Sequence, residues 1–223
     1  MLKFLGCGGA FDNKRKNTSA YFIKDNTMFL FDCGESVFHS ILNKKLLDGI
    51  EKINIFITHL HSDHCGSLAS LIPYCFYIKN ISVTIIYEAK ENLDKLLELM
   101  YISKERYNII KAEEFKDLKV QSFLQEHEKN SYGYLFEVND KKIFYSGDSI
   151  TLNKEALELL NNGQIDYFYQ DVTVSKTKMH LSVYELYNCV KEQYKDRLYL
   201  MHYDEEVEKA AKELNLKIVE VEE

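Results

Sequence analysis

The 223-residue chain contains one proline and nine glycines, and no Pro-, Gly- or Ser-rich stretch or shift in composition marks a linker. A single domain over residues 1–223, long enough to bury a continuous core, is therefore expected. The five cysteines, Cys7, Cys33, Cys65, Cys75 and Cys189, are odd in number and include no CxxC pair. That pattern excludes a disulfide framework and a paired-cysteine zinc finger, and buried thiols are expected instead. Residues 1–6 hold no apolar core of signal-peptide length, and no later stretch is long enough to cross a bilayer, so a soluble cytoplasmic protein with no membrane partner is expected. Positive charge is also scarce: 28 Lys and Arg stand against 35 Asp and Glu, for a net charge of −7. This balance argues against wrapping a long polyanion, although local positive charge can still bind a small phosphate. Low-complexity segments are absent, which excludes solenoids and disordered tails.

Against these absences stands one concentrated feature. Residues 59–64 read His59-Leu60-His61-Ser62-Asp63-His64, three of the seven histidines and a carboxylate within six positions, directly after the apolar run 53–58. Histidines at i and i+2 on a turn can aim both imidazoles at one ion, while Asp63 and His64 point elsewhere and can hold a second. Each ion needs further ligands from isolated His or Asp residues at strand ends, and His127, Asp148 and His202 qualify. Taken singly, His127 is also readable as a solvated loop histidine, Asp148 as a helix N-cap with Ser149, and His202 as a strand-end residue.

Hydrophobic periodicity predicts strands over 2–5, 20–23, 28–31, 53–58 and 82–87, with helices over 36–47, 67–74 and 91–100. A second half of the same kind follows, with strands over 118–124, 134–138, 142–145, 165–169 and 198–201 and helices over 154–160, 183–194 and 205–214. Strands mixed with helices in both halves predict an α/β protein whose sheets lie between helical layers.

The motifs His59-Leu60-His61-Ser62-Asp63-His64, then His127, Gly147-Asp148-Ser149 and His202, resemble in order those of the metallo-β-lactamase superfamily. The resemblance implies an αββα sandwich of two facing mixed sheets with helices outside. It implies two Zn2+ ions, with Mn2+ as the alternative: His59, His61 and His127 on one, Asp63, His64 and His202 on the other, and Asp148 bridging. Asp32 resembles an early aspartate of the superfamily that orients a ligand or a metal water, and is equally readable as a turn residue. His39, inside a predicted helix, is left over as structural.

Superfamily members cleave several bond types, so the fold does not decide the substrate. Three further stretches resemble ribonuclease Z: Gly6-Cys7-Gly8-Gly9-Ala10 leading to Arg15-Lys16-Asn17-Thr18-Ser19, then Ser131-Tyr132-Gly133-Tyr134, and His180-Leu181-Ser182. Lys16 stands where that family carries arginine, which weakens transfer of a bidentate contact. By this resemblance His180 is the general acid that protonates the leaving oxygen, Asp171 its acidic partner, and Asp63 the group that orients the attacking hydroxide shared by the metals. Lys176 and Lys178 could steer a phosphate or be a solvated pair. Only twenty residues separate His127 from Asp148, where ribonuclease Z of the shorter type carries a long arm that grips transfer RNA. The chain therefore resembles the compact, armless anti-Pycsar branch, which opens cyclic mononucleotides. The expectation is a homodimeric binuclear phosphodiesterase acting on a small phosphodiester, a cyclic nucleotide above all, with structured RNA disfavoured. Transfer-RNA 3′ processing and carbonyl-directed hydrolysis of thioesters or lactones are the alternatives.

Overall fold

The computed structural model of the protein describes residues 1–221. It divides into two compact units, Met1–Phe115 with the last described residues, and Lys116–Val219. In the first unit, β1 (Lys3–Gly6), β2 (Ser19–Lys24), β3 (Thr27–Phe31), β4 (Lys52–Phe56), β5 (Ser82–Ile86) and β6 (Asn108–Ile110) form one six-stranded sheet in sequence order. The β1–β2 and β2–β3 pairs are antiparallel and β3 to β6 are parallel. Helices α1 (Val37–Asn43), α2 (Ser62–Cys65), α3 (Leu68–Tyr74) and α4 (Lys90–Leu99) lie on the connections. A central parallel strand is covered on both faces and reads as a continuous apolar run rather than an alternating one. Accordingly Ile53, Ile55, Phe56 and Ile57 are all fully buried, and the Phe56 ring stacks on Phe31 at 4.8 Å between centroids.

The second unit repeats the plan. Its sheet runs β7 (Val120–Leu124), β8 (Tyr132–Val138), β9 (Lys141–Tyr145), β10 (Tyr167–Asp171), β11 (Leu198–Met201) and β12 (Lys217–Ile218), again in sequence order. Two antiparallel pairs are again followed by three parallel ones, with α5 (Lys154–Asn161), α6 (Val183–Cys189) and α7 (Glu205–Leu214) on the parallel crossovers. The whole stretch between His127 and Asp148 is taken up by the β8–β9 hairpin and its flanks, turning at Asn139 and Asp140, both at positive φ. No arm projects from it.

Most expected elements stand where periodicity puts them, with instructive exceptions. The helix expected over 183–194 ends at Cys189. Val190 is extended, and the side chain of Asn161 captures the Lys191 N–H at 2.8 Å, leaving a separate 3-10 turn over Glu192–Arg197. The helix expected over 36–47 stops at Asn43, and Lys45 adopts a left-handed φ of 52°. The strand expected over 165–169 lies two residues later, which puts Asp171 at its end rather than in a loop. Strands β6 and β12, of three and two residues, were too short for periodicity to register. Cys7, Cys33, Cys65 and Cys75 are buried, but Cys189 is exposed at the end of α6, against the expectation for all five. Burial pushes the Cys65 and Cys75 thiols up to about 12. No helix among the described residues is long and apolar enough to cross a membrane.

Candidate metal and catalytic site

Polar side chains collect where parallel strands end, the edge at which α/β sheets open to ligands. In the first unit Asp32 immediately follows β3, and residues 58–64 follow β4. Asp32 is fully buried at a φ of 60° and accepts hydrogen bonds from three donor groups of the neighbouring loop. The Thr58 N–H and hydroxyl donate to it at 2.8 and 3.0 Å, and His64 Nδ1 donates to its Oδ2 at 2.8 Å. Burial pushes the Asp32 carboxyl above the usual carboxylate range, while His64 and Thr58 pull it back.

These bonds fix the histidine tautomers. With Nδ1 of His64 donating to a carboxylate, its Nε2 is the acceptor nitrogen, 3.3 Å from Asp63 Oδ2. The single hydroxyl proton of Thr58 goes to Asp32, so its oxygen accepts from His59 Nδ1 at 3.1 Å, making Nε2 the acceptor nitrogen of His59 as well. That Nε2 lies 2.9 Å from Nδ1 of His61. Two imidazole nitrogens brought this close suit chelation of one cation. The loop is seated by Gly34, whose added Cβ would stand 1.9 Å from the Asp63 carbonyl oxygen, and by Cys33 N–H donating to the His64 carbonyl at 2.7 Å.

In the second unit β7, β9, β10 and β11 point the same way, because β7 is two antiparallel steps from β9 and the rest are parallel. His127, Asp148, Asp171 and His202 therefore emerge at one edge. Asp148 Oδ2 lies 3.8 Å from His127 Nε2, 3.5 Å from His202 Nε2 and 3.9 Å from His180 Nδ1. Nδ1 of His127 donates to the Met179 carbonyl at 2.9 Å, which again leaves Nε2 as the acceptor nitrogen facing the carboxylate. His180 Nδ1 is 3.0 Å from Asp171 Oδ2, and Asp171 is fully buried. Ser149 Oγ and Gln170 Nε2 donate to the other Asp171 oxygen at 3.1 and 2.7 Å. This carboxylate is clamped from both sides, and His180 keeps a partly open ring with one-fifth of its side chain exposed.

The structure thus brings His59, His61, Asp63 and His64 together in one unit and His127, Asp148, Asp171, His180 and His202 in the other. Imidazoles gathered around carboxylates, with Nδ1 of His59, His64 and His127 engaged by Thr58, Asp32 and the Met179 carbonyl, are a donor set that fits metal ions. His39 is exposed on α1 and takes no part, Lys176 pairs with Glu185 at 3.2 Å, and Lys178 is exposed. Sequence reasoning missed Thr58, Ser149, Gln170 and the Met179 carbonyl. Each acts through a hydrogen bond that no spacing rule announces.

Comparison with known proteins agrees with this architecture. An Anti-Pycsar protein Apyc1 from Paenibacillus harenae is 27% identical over 224 residues, covering 93% of this chain and 91% of the relative. Ribonuclease Z from Picrophilus torridus is 30% identical over 183 residues, which is 75% of this chain but only 58% of that enzyme, so the chain spans little more than half its length. The metallo-β-lactamase fold protein YhfI from Bacillus subtilis superposes with a TM-score of 0.76 at 17% identity, over 98% of this chain and 94% of that one. That likeness carries the fold: the α/β class expected from the motifs is a metallo-β-lactamase sandwich. Since the family model described as Anti-Pycsar protein Apyc1 matches residues 1–100 and 82–221, nearly the entire sequence, the chain belongs to that family.

Proposed function

We propose that the chain is a metal-dependent hydrolase, working as one cytoplasmic domain and as a homodimer, that opens a small phosphodiester and above all a cyclic nucleotide. The observation that carries this reading is the Asp171–His180 pair beside Asp148. A thioester expels a thiolate that departs without a proton, whereas a phosphodiester must shed an alkoxide that needs one, and the dyad stands where it can supply it.

In this reading His59, His61 and His127 would hold one Zn2+ and Asp63, His64 and His202 the other, with Asp148 available to both and Mn2+ as a substitute. Such ions would supply a water acidified to about pKa 7 and a positive field for phosphoryl oxygens. Asp63 accepts a hydrogen bond from the attacking water and turns its lone pair toward phosphorus. His180 carries a proton on Nε2 to the departing oxygen, while Asp171 holds Nδ1 and stabilises the charged ring. The net charge of −7 and the hairpin between His127 and Asp148 support a small substrate, because neither supplies a basic surface for folded RNA.

Incubating the metal-loaded protein with cyclic mononucleotides, cyclic dinucleotides, a transfer-RNA precursor, a lactone and a thioester, with mass spectrometry as the readout, tests this. Small rings are expected to gain one water while the precursor and the carbonyl compounds persist. Cleavage of the precursor would move the reading to the ribonuclease Z activity named for the 30%-identical relative. Turnover of the lactone or thioester alone would reject phosphodiester chemistry.

A further inference from the structure

Phe11 is fully exposed, yet it does not sit on a slack loop. The segment between β1 and β2 is closed by backbone bonds from Cys7 to Arg15, Gly8 to Lys16 and Thr18 to Gly8, at 2.9–3.0 Å. The Asp12 carboxylate adds three more, from the N–H groups of Lys14 and Arg15 at 3.0 Å and from the Arg15 guanidinium at 2.8 Å. An added Cβ on Gly8 would stand 2.7 Å from Arg15 and 2.9 Å from Asp12, so this closure leaves no room for a side chain there. The loop is a rigid mount for one apolar ring held out in water.

Its position is equally specific. Strand β1 is two antiparallel steps from β3, so the loop leaves the sheet at the edge where Asp32 and residues 59–64 lie. Asn17 ties its base to the next segment through reciprocal bonds with Ser36, at 2.9 and 2.8 Å. That segment contains Gly34, packed on the Asp63 carbonyl, and Glu35, whose Cγ is 2.7 Å from where a Cβ on Gly66 would stand. Between the loop and Ser36 opens a cavity of about 310 Å3, lined by Phe11, Asp12, Asn13, Lys16, Asn17 and Glu35 among others. This lies at the lower end of the volumes that hold small ligands, with one apolar face and several groups able to donate or accept hydrogen bonds. The other strongly exposed rings of this unit differ in place: Tyr77 and Tyr101 lie on segments leading into the N-terminal ends of β5 and β6.

We propose that this cavity is the nucleobase subsite for the phosphodiester substrate, with Phe11 stacking on the base and thereby selecting nucleotides over diesters that lack one. The proposal rests on the phosphodiesterase reading above. An aromatic side chain offers every base a π-face, so Phe11 supplies affinity for bases in general, while Asn13, Lys16 and Glu35 offer edges that can discriminate among them.

The test compares wild type, Phe11→Ala and Phe11→Tyr on a cyclic nucleotide and on methyl p-nitrophenyl phosphate, a diester with no base. In Phe11→Ala the preference in kcat/KM for the nucleotide is expected to fall about tenfold, mostly through KM, as for loss of one base–aromatic stack, and Phe11→Tyr is expected to restore it. Equilibrium dialysis of the cyclic nucleotide against Asp63→Asn, with and without Phe11→Ala, should show the same loss without turnover. An unchanged preference in Phe11→Ala would overturn the subsite, as would a loss of self-association in that variant, which would make Phe11 a contact between copies. Hydrolysis of neither compound by wild type would instead sink the phosphodiesterase reading itself.

Discussion

Asp63→Ala is expected to lower kcat on the best phosphodiester by about a thousandfold or more, the scale of losing a group that acts on the reacting atoms in the transition state. The side chain is 5% exposed in the first turn of α2, and its Oδ2 lies 3.3 Å from His64 Nε2. The backbone that carries it is fixed independently, by the approach of Gly34 and by the Cys33-to-His64 bond. Truncation should therefore leave the circular dichroism spectrum and the unfolding transition close to wild type while turnover disappears. An Asp63→Ala protein that keeps two metals and full activity would remove Asp63 from the mechanism.

The second large effect depends on the substrate. For a diester with an alkoxide leaving group, His180→Ala should slow turnover by about 100- to 10,000-fold, the usual range for a positioned general acid. For bis(p-nitrophenyl) phosphate, whose leaving group departs without a proton, the loss should stay below about tenfold. Asp171→Asn should show the same split at reduced size, roughly 10- to 100-fold on the alkoxide substrate, because Ser149 and Gln170 still hold the side chain while the charge that supports His180 is gone. Equal slowing of both substrates would argue that His180 binds or positions rather than donates a proton.

How far the sequence carried this account can be read from particular residues. The run 53–58 ahead of His59 announced a strand, and parallel pairing on both sides, with burial on both faces, explains why it lacks alternation. Strand direction then places the candidate ligands at the carboxyl ends, which is why His127, Asp148 and His202 were legible as strand-end residues before any geometry was known. Asp171 was legible as the acidic partner of His180 only through the resemblance to ribonuclease Z. Its place at the end of β10 emerged from pairing with β11, in which Asp171 faces Met201, and pairing partners distant in sequence leave no mark on local periodicity. Thr58, Ser149 and Gln170 were hidden for a related reason: their contribution is a hydrogen bond to a carboxylate, and hydroxyls and amides of that sort occur throughout the chain. Nothing in the sequence pattern singled out Phe11. What distinguishes it is exposure on a braced loop, which becomes visible only once the Asp12 carboxylate is seen to hold that loop shut.

The repeated strand order has a functional consequence. Each unit uses the same antiparallel-then-parallel sheet to deliver polar side chains to one edge, one giving His59, His61, Asp63 and His64, the other His127, Asp148 and His202.

The most direct measurement is metal content by inductively coupled plasma mass spectrometry on protein reconstituted with Zn2+ or Mn2+ and freed of excess ion, alongside Asp148→Ala. The account predicts close to two transition-metal ions per chain in the wild type and a clear loss in the variant. Well under one ion per chain after reconstitution, or an Asp148→Ala protein that still binds two, would contradict it.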